Sequence, residues 1–366
     1  MPAITPTLTL EPVVDDMSKL QGAARIALSE AVGLRPGEEV LVLTNPEDSV
    51  FAIARALFEE ARALGGKPVL LLQEKKTTTD YAERLALEAV RAEPDVLLTV
   101  TKARAGKDPY GLRVGYVGRD GRKYDSIVDR VTKGDRRVRG FSSPNASPDM
   151  FARCVPVDYE ALRERAARIK RVLDRGENVR VTSPSGTDVR FSVAGRRAFA
   201  NAGDYRRPGQ FGNLPAGEVY VSPALGSGIG VVAFDGTVST ARGPQVPKAP
   251  VFVTFEEGLA REIEGGRVAR LVRATLGEGE AMAREIGSEA LRVNCRRLGE
   301  FGIGINDRAQ ITGVILEDEK ALKTCHFALG SNYDFDAPAI IHRDMLVMNP
   351  SVWVDDELLM KDGKLV

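Results

Sequence analysis

The hydrophobic pattern changes character near the middle of the chain. In the first part, short apolar runs alternate with amphipathic stretches. "GEEVLVLTN" is a buried strand bounded by Gly37 and Asn45. "PEDSVFAIARALFEEARALGG" follows with Val50, Ala54, Leu57, Ala61 and Leu64 at helical spacing, and Gly65-Gly66 stops it. "KPVLLLQE" and "DVLLTVT" are further buried strands, separated by the helix "YAERLALEAVRAEP" that ends at Pro94. Strands spaced by helices of this length predict a parallel sheet covered on both faces.

"VDYEALRERAARIKRVLDRGENV" is an amphipathic helix with Asp158 at its start and Gly176 at its end. Beyond it the period changes to two. "NVRVTSPSGTDVRFSVAG" predicts a hairpin turning at Ser185-Gly186. "GEVYVSPALGSGIGVVAFDGTVST" and "APVFVTFEEGLAREIEGGRVARLV" add strands with turns at Asp235-Gly236 and Gly265-Gly266. "EGEAMAREIGSEALRVNCRRLGE" is mostly helical, and "SVWVDDELLMKDGKLV" is a closing hairpin with its turn at Asp362-Gly363. The expected fold class is α/β: an N-terminal parallel-sheet domain (1–175), then a β-rich α+β metal-binding domain (176–366).

Lysine plus arginine equals aspartate plus glutamate, 51 each. This balance argues against a nucleic-acid partner, whose phosphates need excess cations. The basic run Arg130–Gly140 is a local exception, read as a solvated face or as internal partners for carboxylates. Cys154, Cys295 and Cys325 form no CxxC pair, which fits a reducing compartment. "MPAITPTLTLEPVVDDM" lacks the charged start and apolar core of a signal peptide, and no apolar run approaches the ~18 residues of a membrane span. A cytoplasmic protein is expected. "TNPEDSV" after the first strand has no glycine-rich phosphate loop, so a Rossmann or P-loop site is not expected. The glycine-rich "GSGIG" (Gly226 to Gly230) lies between strands and reads as a loop or bulge.

The chain has only two histidines, His326 and His342, and both lie in one short C-terminal segment. His342 and Asp344 are two apart in "IIHRDMLV", so on a strand they share one face while Arg343 points the other way. Imidazole and carboxylate ligate zinc, manganese, cobalt or ferrous iron, and His326 adds a third ligand if the chain folds back.

Several segments resemble the aminopeptidase T family, the thermophilic metallo-aminopeptidases. They are "SPSGTDVRFSVAGR", "NLPAGEVYVSP", "LGEFGIGIN", "EDEKALKTCHFALGSNY" and "IHRDM", in that order over residues 180–366. Carried over, that family's metal ligands fall on Glu218, Glu300, His326, His342 and Asp344, and a site tyrosine falls on Tyr333. The resemblance implies two divalent ions (zinc, cobalt or manganese) activating a water for release of N-terminal residues from peptides. Glu218 or Glu300 would bridge the ions or take the water's proton, Tyr333 would donate to the oxyanion, and the protein would be a homodimer. The sequence departs from the family in two ways. The stretch between the histidines is short, and "EDEK" replaces the usual DEN. There Leu316 and Glu317 lead into Asp318 and Glu319, which would support ligands or act as caps.

Dihydroxypyridine dioxygenases resemble the same scaffold more distantly. They bind one ferrous ion through two histidines and one aspartate, a set that His326, His342 and Asp344 would satisfy. Glu218 and Glu300 are not required by a mononuclear site, so their presence places two-metal hydrolysis first. The dioxygenase comes second, beside a relative that only binds.

Overall fold

The computed structural model describes residues 17–77 and 79–366, which divide into two compact units. The stretch read for a signal peptide lies outside the described residues except for Met17, which begins the helix Met17–Ile26. One unit extends to Pro156 and takes in Tyr205–Leu214; the other comprises Val157–Asp204 and Pro215–Val366. The division therefore falls before the helix Tyr159–Arg175, not after it near residue 175. That helix buries Leu162, Ala166, Ile169 and Leu173, and its apolar stripe belongs to the core of the second unit.

The first unit is built on a five-stranded parallel sheet in the order Phe211–Asn213, Arg139–Ser142, Val96–Val100, Glu39–Thr44, Lys67–Leu72. Val96–Val100 and Glu39–Thr44 are central and almost wholly buried, while Lys67–Leu72 at the edge is only partly covered. Burial accounts for the continuous apolar runs of the two central strands, whereas Lys67–Leu72, expected to be buried, has no buried residue because it is the sheet's edge, and its Val69 is 59% exposed. The helix Asp48–Ala63 buries Val50, Ala54, Leu57 and Ala61 of the stripe its spacing predicts, while Leu64 caps the helix end and is half-buried. The basic run serves internal carboxylates. Arg139 is buried and grips Glu38 in a two-pronged pair (Nη1–Oε1 3.1 Å, Nη2–Oε2 2.7 Å), and Arg130 pairs with Asp135 at 2.7 Å.

The second unit contains two antiparallel sheets. An eight-stranded sheet runs in the order Leu259–Glu264, Val251–Glu256, Ile229–Phe234, Asp188–Ser192, Asn178–Thr182, Ser351–Val354, Glu357–Lys361, Lys364–Leu365. A five-stranded sheet runs in the order His342–Met348, Thr324–Gly330, Leu298–Gly304, Glu218–Val221, Phe199–Asn201. Phe301 and Phe327 of the smaller sheet meet Phe191 of the larger at ring separations of 5.2 and 6.0 Å, and Phe327 meets Phe234 at 6.3 Å. One face of the five-stranded sheet is thereby committed to an apolar core.

The hairpin with its turn at Ser185-Gly186 is present, joining Asn178–Thr182 to Asp188–Ser192. Gly265-Gly266 does not join two strands. It ends Leu259–Glu264 and begins the helix Arg267–Glu285, because Ala269, Val272 and Leu276 bury one helical face. The C-terminal segment makes three strands, with a turn at Asp355-Asp356 before the one at Asp362-Gly363. Among the described residues, no helix is long and apolar enough to cross a membrane.

Candidate metal centre

Register decides what the other face of the five-stranded sheet carries. Glu300 pairs with Ala328, and Ala328 with Asp344. Gly302 pairs with His326, and Gly330 with His342. Glu218 pairs with Gly304 at the next strand. Side chains on a strand alternate, so Glu218, Glu300, His326, His342 and Asp344 all project from the face opposite the phenylalanine core. The residues among them are small: Gly302, Gly304, Ala328 and Gly330. Ala328 lies between Glu300 and Asp344 in the register and places only a methyl group between the two acids.

Two glycines are needed for this. A Cβ on Gly302 would lie 2.1 Å from His326 Nε2, so the imidazole rests directly on the bare backbone. A Cβ on Gly304 would lie 2.2 Å from the Ala321 carbonyl oxygen, where the segment after the short helix Ile315–Asp318 closes over the sheet.

Two groups of potential ligand atoms result, Glu218–Glu300–His326 and Glu300–His342–Asp344. Glu300 belongs to both. Its Oε1 lies 3.2 Å from His326 Nε2 and its Oε2 lies 3.0 Å from His342 Nε2. His342 Nε2 also lies 3.2 Å from Asp344 Oδ1. Its Nδ1 lies 2.8 Å from the Ser331 carbonyl oxygen, which fixes Nδ1 as the donor and turns Nε2 toward the acids. His326 Nε2 is 3.7 Å from Glu218 Oε2, and its Nδ1 is buried without a partner. The set of His326, His342 and Asp344 is not what the sheet assembles: Glu300 stands between the imidazoles, because its row lies between theirs.

The charges are strongly coupled. Burial pushes the Glu300 carboxyl up, but the two imidazoles outweigh it and hold it below its ordinary value. Burial pushes His326 down, while Glu300 outweighs that and raises it to about 9. His342 is likewise raised well above its ordinary value, by Asp344 and Glu300 against burial. Asp344 is held low by His342 in spite of burial.

Lys320 is a member of the site that sequence reasoning missed. It is 0% exposed, and its Nζ lies 2.7 Å from Glu218 Oε1 and also bonds Glu319 Oε1. Burial raises Glu319 to about 8. Its only trace in the sequence is the departure "EDEK". Glu317 and Asp318 of the same stretch are structural. Glu317 accepts from the Gln310 amide (2.7 Å), and Asp318 from the Thr237 hydroxyl (2.6 Å) and the Thr312 and Gly313 amides.

An aromatic wall borders the acids. Phe199 stacks on Tyr220 at 5.5 Å, Tyr220 meets Tyr333 at 4.7 Å, and Tyr333 stands edge-on to His342 at 5.5 Å. The charge of Glu300, followed by burial, raises the Tyr333 phenol above its ordinary value, so it remains a donor at neutral pH. Tyr333 is anchored by its amide, which donates to Ser222 Oγ at 3.1 Å. Phe199 and Tyr333 keep 39% of their surface exposed, so the wall is open to a ligand.

The NicX family model, 2,5-dihydroxypyridine 5,6-dioxygenase, matches residues 27–366, a span that includes every residue of this site. The chain belongs to this family. Two solved structures share its fold. The 2,5-dihydroxypyridine dioxygenase of Pseudomonas putida KT2440 matches at 17% identity and TM-score 0.72, covering 96% of this chain and 98% of that one. Wild-type AmpT from Thermus thermophilus matches at 19% identity and TM-score 0.67, covering 95% and 99%. No curated protein matches by sequence search. The aminopeptidase, protease and hydrolase reading is therefore corrected: the family is one of enzymes named for an oxidoreductase activity, and the aminopeptidase likeness extends to the fold. That reading rested on the motif resemblance and on the presence of Glu218 and Glu300 beside the histidines.

Proposed function

We propose that this NicX-family protein is a metal-dependent dioxygenase that opens the ring of a dihydroxylated pyridine or a closely similar hydroxylated N-heteroaromatic. The observation that carries this reading is the family match over 27–366, which spans the whole acid–imidazole cluster and its aromatic wall.

The residues fit a ferrous ion. Glu300 Oε2 is buried without a hydrogen-bond partner although His342 Nε2 is 3.0 Å away, so a carboxylate oxygen and an imidazole nitrogen stand side by side where a divalent ion would take the place of the imidazole proton. The donor set of imidazole nitrogen and carboxylate oxygen suits divalent iron as well as manganese or zinc. Glu300, His342 and Asp344 would hold the ion, and iron there supplies the one-electron chemistry that dioxygen requires.

The other residues prepare the reaction. The Ser331 carbonyl fixes the His342 tautomer, and His326 orients Glu300 through its other oxygen. Tyr220 and Tyr333 offer ring faces and edges to an aromatic substrate. The Tyr333 phenol keeps its proton and can donate it as a hydrogen bond to a ring oxygen that gains charge.

The test is anaerobic loading with ferrous iron, then addition of 2,5-dihydroxypyridine and dioxygen. Stoichiometric oxygen uptake with loss of the ring's ultraviolet absorbance is expected. Iron-loaded protein that consumes no oxygen with any dihydroxylated pyridine would overturn the reading.

A further inference from the structure

We propose that the Lys320 ammonium is a fixed internal cation standing where a second metal ion would otherwise bind, so that the centre takes a single divalent ion at Glu300, His342 and Asp344. The inference rests on the functional reading only in assuming that this site binds a divalent ion.

The two ligand groups are not equivalent. In the Glu218–Glu300–His326 group, one oxygen of Glu218 is taken by Lys320 Nζ at 2.7 Å, and the same ammonium bonds Glu319. An ammonium and a divalent ion within reach of one carboxylate repel each other, and in a buried site nothing screens that repulsion. His326 also lacks the outer hydrogen bond that usually orients a metal-binding imidazole, since its Nδ1 is buried and unpaired. His342 has that bond, to the Ser331 carbonyl. The Glu300–His342–Asp344 group contains no lysine.

Lys320 is held by the backbone and is not a side chain that swings in from solvent. The Asn306 amide donates to the Lys320 carbonyl at 2.8 Å, and the Leu322 amide donates to the Asn306 carbonyl at 2.9 Å. Asn306 Nδ2 is in turn fixed to the Ala216 carbonyl at 2.8 Å. Bare Gly304 lets the Lys320–Ala321 backbone lie against the sheet. A fully buried lysine delivered this firmly onto two carboxylates has the location and charge of a resident cation.

The experiment counts metal without using turnover. Manganese(II), redox-silent here, is titrated into metal-free protein, with bound metal measured by elemental analysis and by electron paramagnetic resonance. Wild type is expected to bind one ion per chain with an uncoupled spectrum. Lys320→Ala is expected to bind two, with a spin-coupled spectrum, and Lys320→Arg to remain at one. Glu218→Gln is expected to keep the count at one, whereas Asp344→Asn reduces affinity by more than about 100-fold. Two ions in wild type, or one in a folded Lys320→Ala, would overturn the proposal. If Lys320→Ala does not fold, Glu218→Gln decides: a lost ion makes Glu218 a metal ligand and overturns it, and a retained ion supports it. Because no oxygen or substrate is involved, the count stands whether or not the protein is a dioxygenase.

Discussion

Gly302 lies directly beneath His326, close enough that a methyl group on it would sit 2.1 Å from the imidazole Nε2. The absence of a side chain is what lets His326 lie flat on the sheet and reach Glu300. Gly302→Ala should therefore force the ring off Glu300 and destabilise the protein by about 1–3 kcal/mol, the usual range for overpacking a filled interior. Gly277→Ala, in the helix Arg267–Glu285 where a Cβ meets nothing within 4 Å, is the control. It should gain roughly 0.4–1 kcal/mol. Denaturant unfolding of both variants checks the pair, and equal stabilities would contradict the packing argument.

Glu300 is the hinge of the electrostatics, because each of its oxygens faces a different imidazole. Glu300→Gln keeps its shape and removes its charge. Metal affinity should fall by at least about 100-fold, and both histidines should titrate closer to their ordinary value. With only two histidines in the chain, their ring resonances can be followed individually by NMR across pH. Unchanged affinity together with unchanged titration would remove Glu300 from the site.

Much of this was legible in the sequence, for a physical reason. Period-two alternation around His342 and Asp344 places both on one face, and the apolar runs between 37 and 101 fix the parallel sheet. What alternation along one strand cannot give is register between strands. The row of Glu300, Ala328 and Asp344 exists only once residues far apart in sequence pair, so Glu300's position between the imidazoles was hidden. Lys320 was hidden more deeply. A lysine is ordinarily a surface residue, and only the fold shows that Gly304 admits its backbone and that Glu218 and Glu319 receive its charge. The sequence places a peptidase first for a related reason: Glu218 and Glu300 near two histidines suggest two ions, and the Lys320 ammonium on Glu218 and Glu319 is visible only in the fold.

Protonation gives a third prediction. In the metal-free protein Glu300 outweighs burial and raises His326 from its ordinary 6.5 to about 9, with Glu218 and Glu319 adding to the effect. A raised folded-state value stabilises the fold fully below pH ~6.5, and that stabilisation is lost as pH rises through about 9. The unfolding free energy of metal-free protein should therefore fall between pH 6.5 and 9, by an amount on the order of 1–3 kcal/mol, and its melting temperature should fall with it. A bound ion displaces protons from the site, so metal affinity should rise over the same interval. Calorimetry with and without manganese tests both. A melting temperature that climbs with pH in the metal-free form would contradict the assigned charge balance.

Tyr333 separates stacking from hydrogen bonding. Its ring contacts Tyr220 and His342, while its phenol is kept protonated by the charge of Glu300. Tyr333→Phe retains the ring and loses only the donor. If the phenol donates to a ring oxygen that becomes more negative during the reaction, kcat should drop about 100-fold while substrate affinity changes little. Tyr333→Ala removes the wall as well, so substrate affinity should also weaken, by about 1–3 kcal/mol if the ring stacks as aromatic bases do on aromatic side chains. Steady-state kinetics with a dihydroxylated pyridine, combined with anaerobic binding measurements, tells the two effects apart. Should Tyr333→Phe bind poorly yet turn over at the normal rate, the phenol would be a substrate-binding group with no part in the chemical step.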